Sequence, residues 1–230
     1  MAADQVQVAV VAGATGLVGQ AVLADLLTAK TSGSVLGTVH VVYAKERRAP
    51  TLIHPLLNLH AVDFTAMPVL PRVDDVYIAL GTTIAVAGSQ AAFRAVDYDA
   101  ALAVARAARS AGATRCGVVS AMGAHPDSRI FYNRIKGELE RDIERLGFTT
   151  LVIARPSLLA GDRQSLQQPR RRAELLSVTL FNWLAPIIPV NYRARPAIEI
   201  AHALVHAVQS RPAGLHVLRG RSLSAPATAI

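Results

Sequence analysis

Short runs of apolar, β-branched residues alternate along the chain with longer alanine-rich stretches of helical periodicity. This alternation is typical of strand and helix units that build a parallel sheet. The apolar runs predict seven strands, at residues 6–11, 35–43, 59–62, 75–80, 115–120, 150–154 and 214–218. The pattern therefore predicts an α/β fold, with a doubly wound parallel sheet and helices on both of its faces.

The helical stretches are clearest at residues 16–29, 89–111 and 131–146. The second and third stop before Gly112 and Gly147, and glycine commonly follows the end of a helix. After Pro156 the periodicity weakens and prolines recur. We therefore expect a single domain over residues 1–230, with a small substrate-side region at about 157–196.

Composition narrows the function classes. The 230-residue chain is 52% hydrophobic and carries a formal net charge of +8, which can indicate a nucleic-acid, membrane or phosphorylated partner. Its basic residues are scattered or form small groups such as 170–172, without the interleaved aromatic residues of a nucleic-acid platform. The apolar run 175–190 contains prolines and is shorter than a membrane span. We expect a phosphorylated ligand, no nucleic acid and no membrane span.

The single cysteine and the start of the chain bear on the compartment. Cys116 lies in an apolar run, so we interpret it as a core residue, and one cysteine excludes an intrachain disulfide. Residues 1–11 carry Asp4 and no basic segment, so they are interpreted as a first strand and not as a secretory signal peptide. We therefore expect a cytoplasmic protein.

A glycine-rich loop follows the first predicted strand and opens the first predicted helix. Glycines let the backbone turn sharply and approach a pyrophosphate, whose charge the helix N-terminus favours. Strand, loop and helix in this order predict a Rossmann domain that binds a dinucleotide; a purely structural turn is the alternative. The expected cofactor contacts are Gly13, Thr15, Gly16, Leu17, Val18 and Gly19.

Three cations surround one acid after the second predicted strand, in the order Lys45-Glu46-Arg47-Arg48. An acid that binds the ribose 2′-hydroxyl is usual at this point. Lysine and arginine suit a 2′-phosphate better, because an arginine fork binds phosphate with two hydrogen bonds. The sequence thus favours NADP over NAD, with Lys45, Arg47 and Arg48 as its ligands. The alternatives are a ribose contact by Glu46 and a solvated charged loop.

Two further strand ends face the same predicted cleft. Asp63, just after the third strand, is placed to accept a hydrogen bond from the adenine amino group, although a strand-end aspartate is also common in turns. The fourth strand ends at the carboxyl edge of the sheet, where the rest of the cofactor would lie, or simply in a loop. Its expected contacts are Leu80, Gly81, Thr82 and Thr83.

Tyr132 and Lys136 are four residues apart on a predicted helix and therefore share one face. The ammonium group would stabilise the phenolate and lower the pKa of Tyr132 from its usual value of about 10. Such a tyrosine can transfer protons, and Ser120, at the end of the fifth strand, would hold a substrate carbonyl beside it. An exposed helix pair is the alternative. We expect no metal site.

With these motifs the chain resembles the short-chain dehydrogenase/reductases, specifically their atypical and extended members. Further segments resemble the oxidoreductase group of the Tat-interacting protein TIP30 and its small bacterial homologues: 80–83, Val96-Asp97, 136–138, Arg155-Pro156 and 161–164. The resemblance implies a Rossmann fold, NADPH, and Ser120, Tyr132 and Lys136 as the catalytic set. It also implies that Lys136 contacts the nicotinamide ribose and that Arg155-Pro156 leads into a loop over the nicotinamide.

Two functions remain open from the sequence. One is a reductase that acts on a small carbonyl substrate; the other is an NADP(H)-binding redox sensor or scaffold without turnover. The serine, tyrosine and lysine favour the enzyme, and the short C-terminal region disfavours a nucleotide-sugar epimerase. A homodimer is a further candidate assembly. The substrate-side candidates are Arg163, Trp183, Asn191, Tyr192 and Arg193.

Overall fold

The seven apolar runs form one parallel sheet. The computed structural model describes residues 7–28, 36–45, 49–157, 159–160 and 195–223. The strands of the sheet are β1 (Gln7–Ala12), β2 (Leu36–Ala44), β3 (Leu57–Val62), β4 (Asp75–Ile78), β5 (Arg115–Val119), β6 (Thr150–Ala154) and β9 (Gly214–Leu218). Two-residue strands β7 (Leu159–Ala160) and β8 (Arg195–Pro196) pair separately.

The strand order of the sheet is β3-β2-β1-β4-β5-β6-β9, and every neighbouring pair is parallel. The chain moves outward from β1 in one direction and then crosses over to β4. In such a sheet the loops after the two central strands diverge, which opens a cleft at the carboxyl edge. Any ligand site of this fold is expected there.

Helices cover both faces of the sheet. They are α1 (Leu17–Thr28), α2 (Ile84–Ala87), α3 (Gln90–Arg94), a π-helical segment (Ala95–Ala100), α4 (Ala101–Ser110), α5 (Phe131–Glu144) and α6 (Ala197–Ser210), with a 3₁₀ turn at Gly220–Leu223. Helices α1 and α6 contact each other on one face, and α4 and α5 contact each other on the opposite face.

Each central strand contributes alternate side chains to two separate cores. In β1, Ala9 and Val11 pack with α1 and α6, whereas Val10 and Ala12 pack with α4 and α5. Because side chains alternate along a strand, a continuous apolar run is what a strand buried on both faces requires. The predicted doubly wound parallel sheet is thus confirmed, and Cys116 is buried as expected.

The long predicted helix at 89–111 is the main local difference. It consists of α3, the π-helical segment and α4, because the wider turn at Ala95–Ala100 interrupts the regular helix. No glycine or proline marks the junctions between the three pieces, so the sequence gave no sign of this change. Most of the predicted substrate-side region at about 157–196 lies outside the described residues, namely 158 and 161–194, so the single-domain assignment stays a prediction.

Candidate functional site

The glycine loop is held by contacts from backbone to backbone. Gly13 has a φ of +90°, and a Cβ atom there would overlap the carbonyl of Ala79 and lie 2.8 Å from the Leu80 nitrogen. A Cβ atom at Gly19 would overlap the carbonyl oxygen of Gly13. At Gly16 the same atom would lie 3.4 Å from that oxygen, which is an ordinary contact. The ends of β1 and β4 and the start of α1 therefore come together only because side chains are absent.

The other predicted residues of this loop differ in exposure. Thr15 is exposed at the tip and Leu17 is half-buried, whereas Val18 packs into the core between the sheet and α1. The first N–H groups of a helix have no partner within the helix. The first turn of α1 thus presents donors of the kind that an anionic group needs.

At the outer end of the cleft, β2 and β3 bring Lys45 and Asp63 together. The Lys45 Nζ lies 2.8 Å from Asp63 Oδ2, and the other carboxylate oxygen accepts hydrogen bonds from the Thr65 N–H and hydroxyl. These hydrogen bonds, that of Lys45 foremost, lower the pKa of Asp63. Glu46, Arg47 and Arg48 lie outside the described residues, so the 2′-phosphate ligands stay a prediction.

The segment after β4 is fixed by an acid that the sequence arguments did not assign to the site. The Thr82 N–H donates to Asp97 Oδ2 over 2.8 Å, and Leu80 packs against the α4–α5 core. Thr83 accepts a hydrogen bond from the Val86 N–H and so begins α2. The four residues predicted to contact a cofactor follow β4 at the carboxyl edge, and Leu80 is the one whose backbone lies next to Gly13.

Lys136 forms a buried ion pair with the same acid. Its Nζ lies 2.7 Å from Asp97 Oδ1, and the two side chains are only 5% and 1% exposed. Asp97 follows Phe93 by four residues, which places it on the buried side of its helix. Two signals could have identified it from the sequence: a charged residue on an otherwise apolar helix face, and the resemblance that included Val96-Asp97 without giving Asp97 a role.

Tyr132 lies in the first turn of α5 against an aromatic neighbour. Its ring centroid is 5.5 Å from that of the fully buried Phe93 on α3. Burial raises the pKa of Tyr132, Lys136 acts in the opposite direction, and Asp97 raises it further. The expected lowering of this pKa is therefore wrong in its net direction, because desolvation and a second charge outweigh the lysine.

Ser120 continues β5 at the carboxyl edge. Its N–H donates to the Ala154 carbonyl of β6 over 2.7 Å, which fixes the residue in the sheet register. The side chain is buried, and among the described residues its hydroxyl has no hydrogen-bond partner. Native proteins rarely leave a buried hydroxyl in this state unless a ligand, ion or water completes it.

The loop between β5 and α5 packs closely enough to bring these residues to one place. A Cβ atom at Gly137 would overlap the backbone of His125 and Pro126, so α5 approaches the loop without a side chain between them. The His125 N–H also donates to the Asn133 carbonyl over 3.1 Å. The helix that carries Tyr132 and Lys136 is thereby fixed beside the loop that follows Ser120.

Arg155 and Pro156 hold α5 and the loop after Ser120 to the end of β6. The Arg155 guanidinium forms a bidentate ion pair with Glu140 of α5, in which the Nε–Oε1 distance is 2.9 Å. The Pro156 carbonyl accepts from the Met122 N–H over 2.8 Å. The substrate-side candidates 163, 183 and 191–193 lie outside the described residues.

The chain is similar to known proteins in sequence and in fold. No family model matches the chain. The mitochondrial protein FMP52 of Eremothecium gossypii is 37% identical over 161 residues, which are 68% of each chain. FMP52 of Coccidioides immitis is 30% identical over 228 residues, covering 91% of this chain and 86% of its relative. The chain belongs to the FMP52 family.

Solved structures share the fold of this chain at low sequence identity. UDP-glucose 4-epimerase of Thermotoga maritima is 13% identical with a TM-score of 0.65, over 93% of this chain and 77% of the epimerase. UDP-glucuronic acid 4-epimerase of Bacillus cereus, solved in complex with NAD, is 14% identical with a TM-score of 0.63, over 94% and 78%. The Rossmann-type fold is thus confirmed, and the likeness to the TIP30 group stays a prediction.

The FMP52 relatives correct one expectation. Both are named as mitochondrial proteins, so the expected cytoplasmic location is contradicted. That expectation depended on the lack of a secretory signal peptide at residues 1–11, which bears on secretion and does not distinguish compartments inside the cell. Within the residues that the structure describes, no helix has the length and apolar character needed to cross a membrane.

Proposed function

We propose that this protein is an NADPH-dependent oxidoreductase of the short-chain dehydrogenase/reductase type that reduces a small carbonyl substrate. The observation that carries the proposal is the Ser120 hydroxyl, which is buried without a hydrogen-bond partner among the described residues. It lies at the carboxyl edge, beside the loop against which the Tyr132 helix is packed. A hydroxyl in this state is suited to donate to a substrate oxygen.

The residues present fit a nicotinamide dinucleotide. The glycine loop leaves no room for a Cβ atom at Gly13 or Gly19, and a backbone cradle of this kind binds a pyrophosphate. Thr82 and Lys136 would lie toward the nicotinamide half. Preference for NADP follows from the charges of Lys45, Arg47 and Arg48 in the sequence. When bound in its reduced form, the dinucleotide supplies a hydride to the substrate carbon.

The side chains supply the proton and the positioning. Because burial raises its pKa, Tyr132 stays protonated at neutral pH and serves as a proton donor to the carbonyl oxygen. Ser120 orients that oxygen, and the Lys136 ammonium stabilises the phenolate that remains. A protonated tyrosine favours the direction of carbonyl reduction over alcohol oxidation, which would need the phenolate as a base.

The test is oxidation of NADPH against a panel of aldehydes, ketones and quinones. Tyr132→Phe removes one hydroxyl, keeps the ring against Phe93, and should lower the rate by about 10² to 10⁴ with little change in NADPH affinity. Tyr98→Phe is the matched control, because the Tyr98 hydroxyl bonds Asp142 over 2.6 Å and has no role in the proposed proton transfer. It should keep the wild-type rate.

Two results would contradict the proposal. One is wild-type protein that binds NADPH but oxidises it with no member of the panel, and the other is a Tyr132→Phe variant as fast as wild type. Either result would favour a binding protein that responds to the cofactor without turnover.

A further inference from the structure

Asp97 uses both of its carboxylate oxygens to connect two parts of the site. One oxygen accepts from the Thr82 N–H of the segment after β4, and the other contacts the Lys136 ammonium of α5. The side chain is 1% exposed, so water does not compete for these contacts. A buried carboxylate with two charged or polar partners from separate elements fixes those elements relative to each other.

The same contact changes what Lys136 offers to Tyr132. Without a nearby carboxylate, a lysine four residues along the helix would act on the phenol with its full positive charge. Here the ammonium lies 2.7 Å from Asp97, whose negative charge opposes that of Lys136 as felt by the phenol. Of the described charged groups, Lys136 on its own helix and Asp97 on the π-helical segment act on Tyr132, while Phe93 on α3 is apolar.

We infer that Asp97 is a positioning residue that shares the Lys136 ammonium with Tyr132, keeps the phenol protonated, and ties α5 to the segment after β4. Its place in catalysis depends on the proposed function. The electrostatic arrangement of Asp97, Lys136 and Tyr132 does not depend on the proposed function, because that arrangement is present in the protein without substrate.

A neighbouring acid provides a matched control. Asp99 lies on the same π-helical segment, two residues further along, but its side chain is exposed. Asp97→Asn and Asp99→Asn remove the same charge with the same change in shape. They differ in whether the charge contacts Lys136.

The experiment is an NMR titration of the protein labelled at the tyrosine Cζ carbons. The chain has five tyrosines, so Tyr132→Phe assigns the resonance of Tyr132 by its loss. In Asp97→Asn the phenol no longer faces a negative charge and receives more of the lysine field, so the pKa of Tyr132 should fall by about 1 to 3 pH units. In Asp99→Asn it should match wild type. An unchanged or higher value in Asp97→Asn, or equal shifts in both variants, would overturn the inference.

Folding of the variant is checked by circular dichroism before titration. If Asp97→Asn does not fold, Asp97→Ser makes the same charge change in a smaller side chain with an acceptor for Thr82, and the same fall is expected. The rate of NADPH oxidation gives a separate readout. The proton donor should be lost at lower pH in Asp97→Asn, by the same interval as in the titration. The NMR result judges Asp97 even if no substrate is turned over, so failure of the inference and failure of the proposed function are distinguishable.

Discussion

Two ion pairs of nearly equal length lie at opposite ends of the candidate cleft. Lys45 and Asp63 are 2.8 Å apart with side chains 54% and 39% exposed, whereas Lys136 and Asp97 are 2.7 Å apart and almost completely buried. The first pair connects the ends of β2 and β3, and the second connects α5 to the π-helical segment. The two ion pairs therefore have nearly the same distance, but one is exposed to solvent and the other is buried.

The difference shows which end of the cleft can change its charges freely. Water and salt screen the outer pair, so the ion pair itself can be exchanged for a contact with a ligand at little electrostatic cost. At the inner end, a charge that lost its partner would be left in a medium that solvates it poorly. The outer end is therefore suited to recognition of a variable group, and the inner end to a fixed electrostatic setting.

The largest expected effect comes from breaking the inner pair. Lys136→Met leaves Asp97 buried without a cation and should lower the free energy of unfolding by about 3 to 5 kcal/mol, measured by urea denaturation at neutral pH. Adding Asp97→Asn removes the isolated charge and should restore much of the loss. A double variant no more stable than Lys136→Met would show that the two side chains are not coupled.

The glycine loop between the two ends is expected to respond to shape and not to charge. Gly19→Ala places a methyl group on the Gly13 carbonyl and should cost about 1 to 3 kcal/mol of unfolding free energy. Gly16→Ala is the matched control, because its methyl group would make only an ordinary contact. Similar stability of the two variants, again by urea denaturation, would mean that the loop relaxes to accept a side chain.

Cofactor choice should reside at the outer end. Wild-type protein should bind NADPH about tenfold more tightly than NADH, a difference of about 1.4 kcal/mol. Replacing Arg47 and Arg48 with alanine should abolish that preference and leave NADH affinity nearly unchanged. Fluorescence titration of both cofactors measures the effect. Equal affinities in the wild type would indicate instead that Glu46 contacts the ribose.

The smallest effect is expected from the outer ion pair itself. Lys45→Met should leave the melting temperature unchanged within error, because an exposed pair contributes little. In about 1 M NaCl, which screens the pair, the melting temperatures of the wild type and of Lys45→Met should likewise be equal. A loss of stability comparable to that of Lys136→Met would remove the contrast between the two ends.

The features that could be predicted from the sequence are those determined by residues close together in the chain. The strands at 150–154 and 214–218 were predicted with the observed limits. The first is buried along its whole length, which leaves an uninterrupted apolar run, whereas the second is an edge strand that is partly exposed and contains His216. The glycine loop could also be predicted, since the strand, the turn and the helix follow one another directly in the sequence. Lys136 could be placed on one face with Tyr132 by spacing alone.

The direction in which the pKa of Tyr132 shifts could not be predicted from the sequence, because its causes lie in distant segments of the chain. Its pKa depends on burial against Phe93 and on the charge of Asp97, both of which come from other segments brought close by folding. Spacing within one helix reports only the lysine, which acts in the minor direction. The interruption of the helix at Ala95–Ala100 was also hidden, since the segment contains no glycine or proline that would mark a break in a helix.

That widened turn makes chain length, as well as composition, a constraint on the site. Each residue of an α-helix turns the chain by about 100°, so one residue more or fewer rotates everything beyond it. The π-helical segment sets the rotational phase between Phe93, which packs on Tyr132, and Val104, which packs on the sheet. Deletion of one residue there would remove none of the side chains that form these contacts. It would nevertheless rotate either Phe93 away from Tyr132 or the sheet-facing side of α4 away from the sheet.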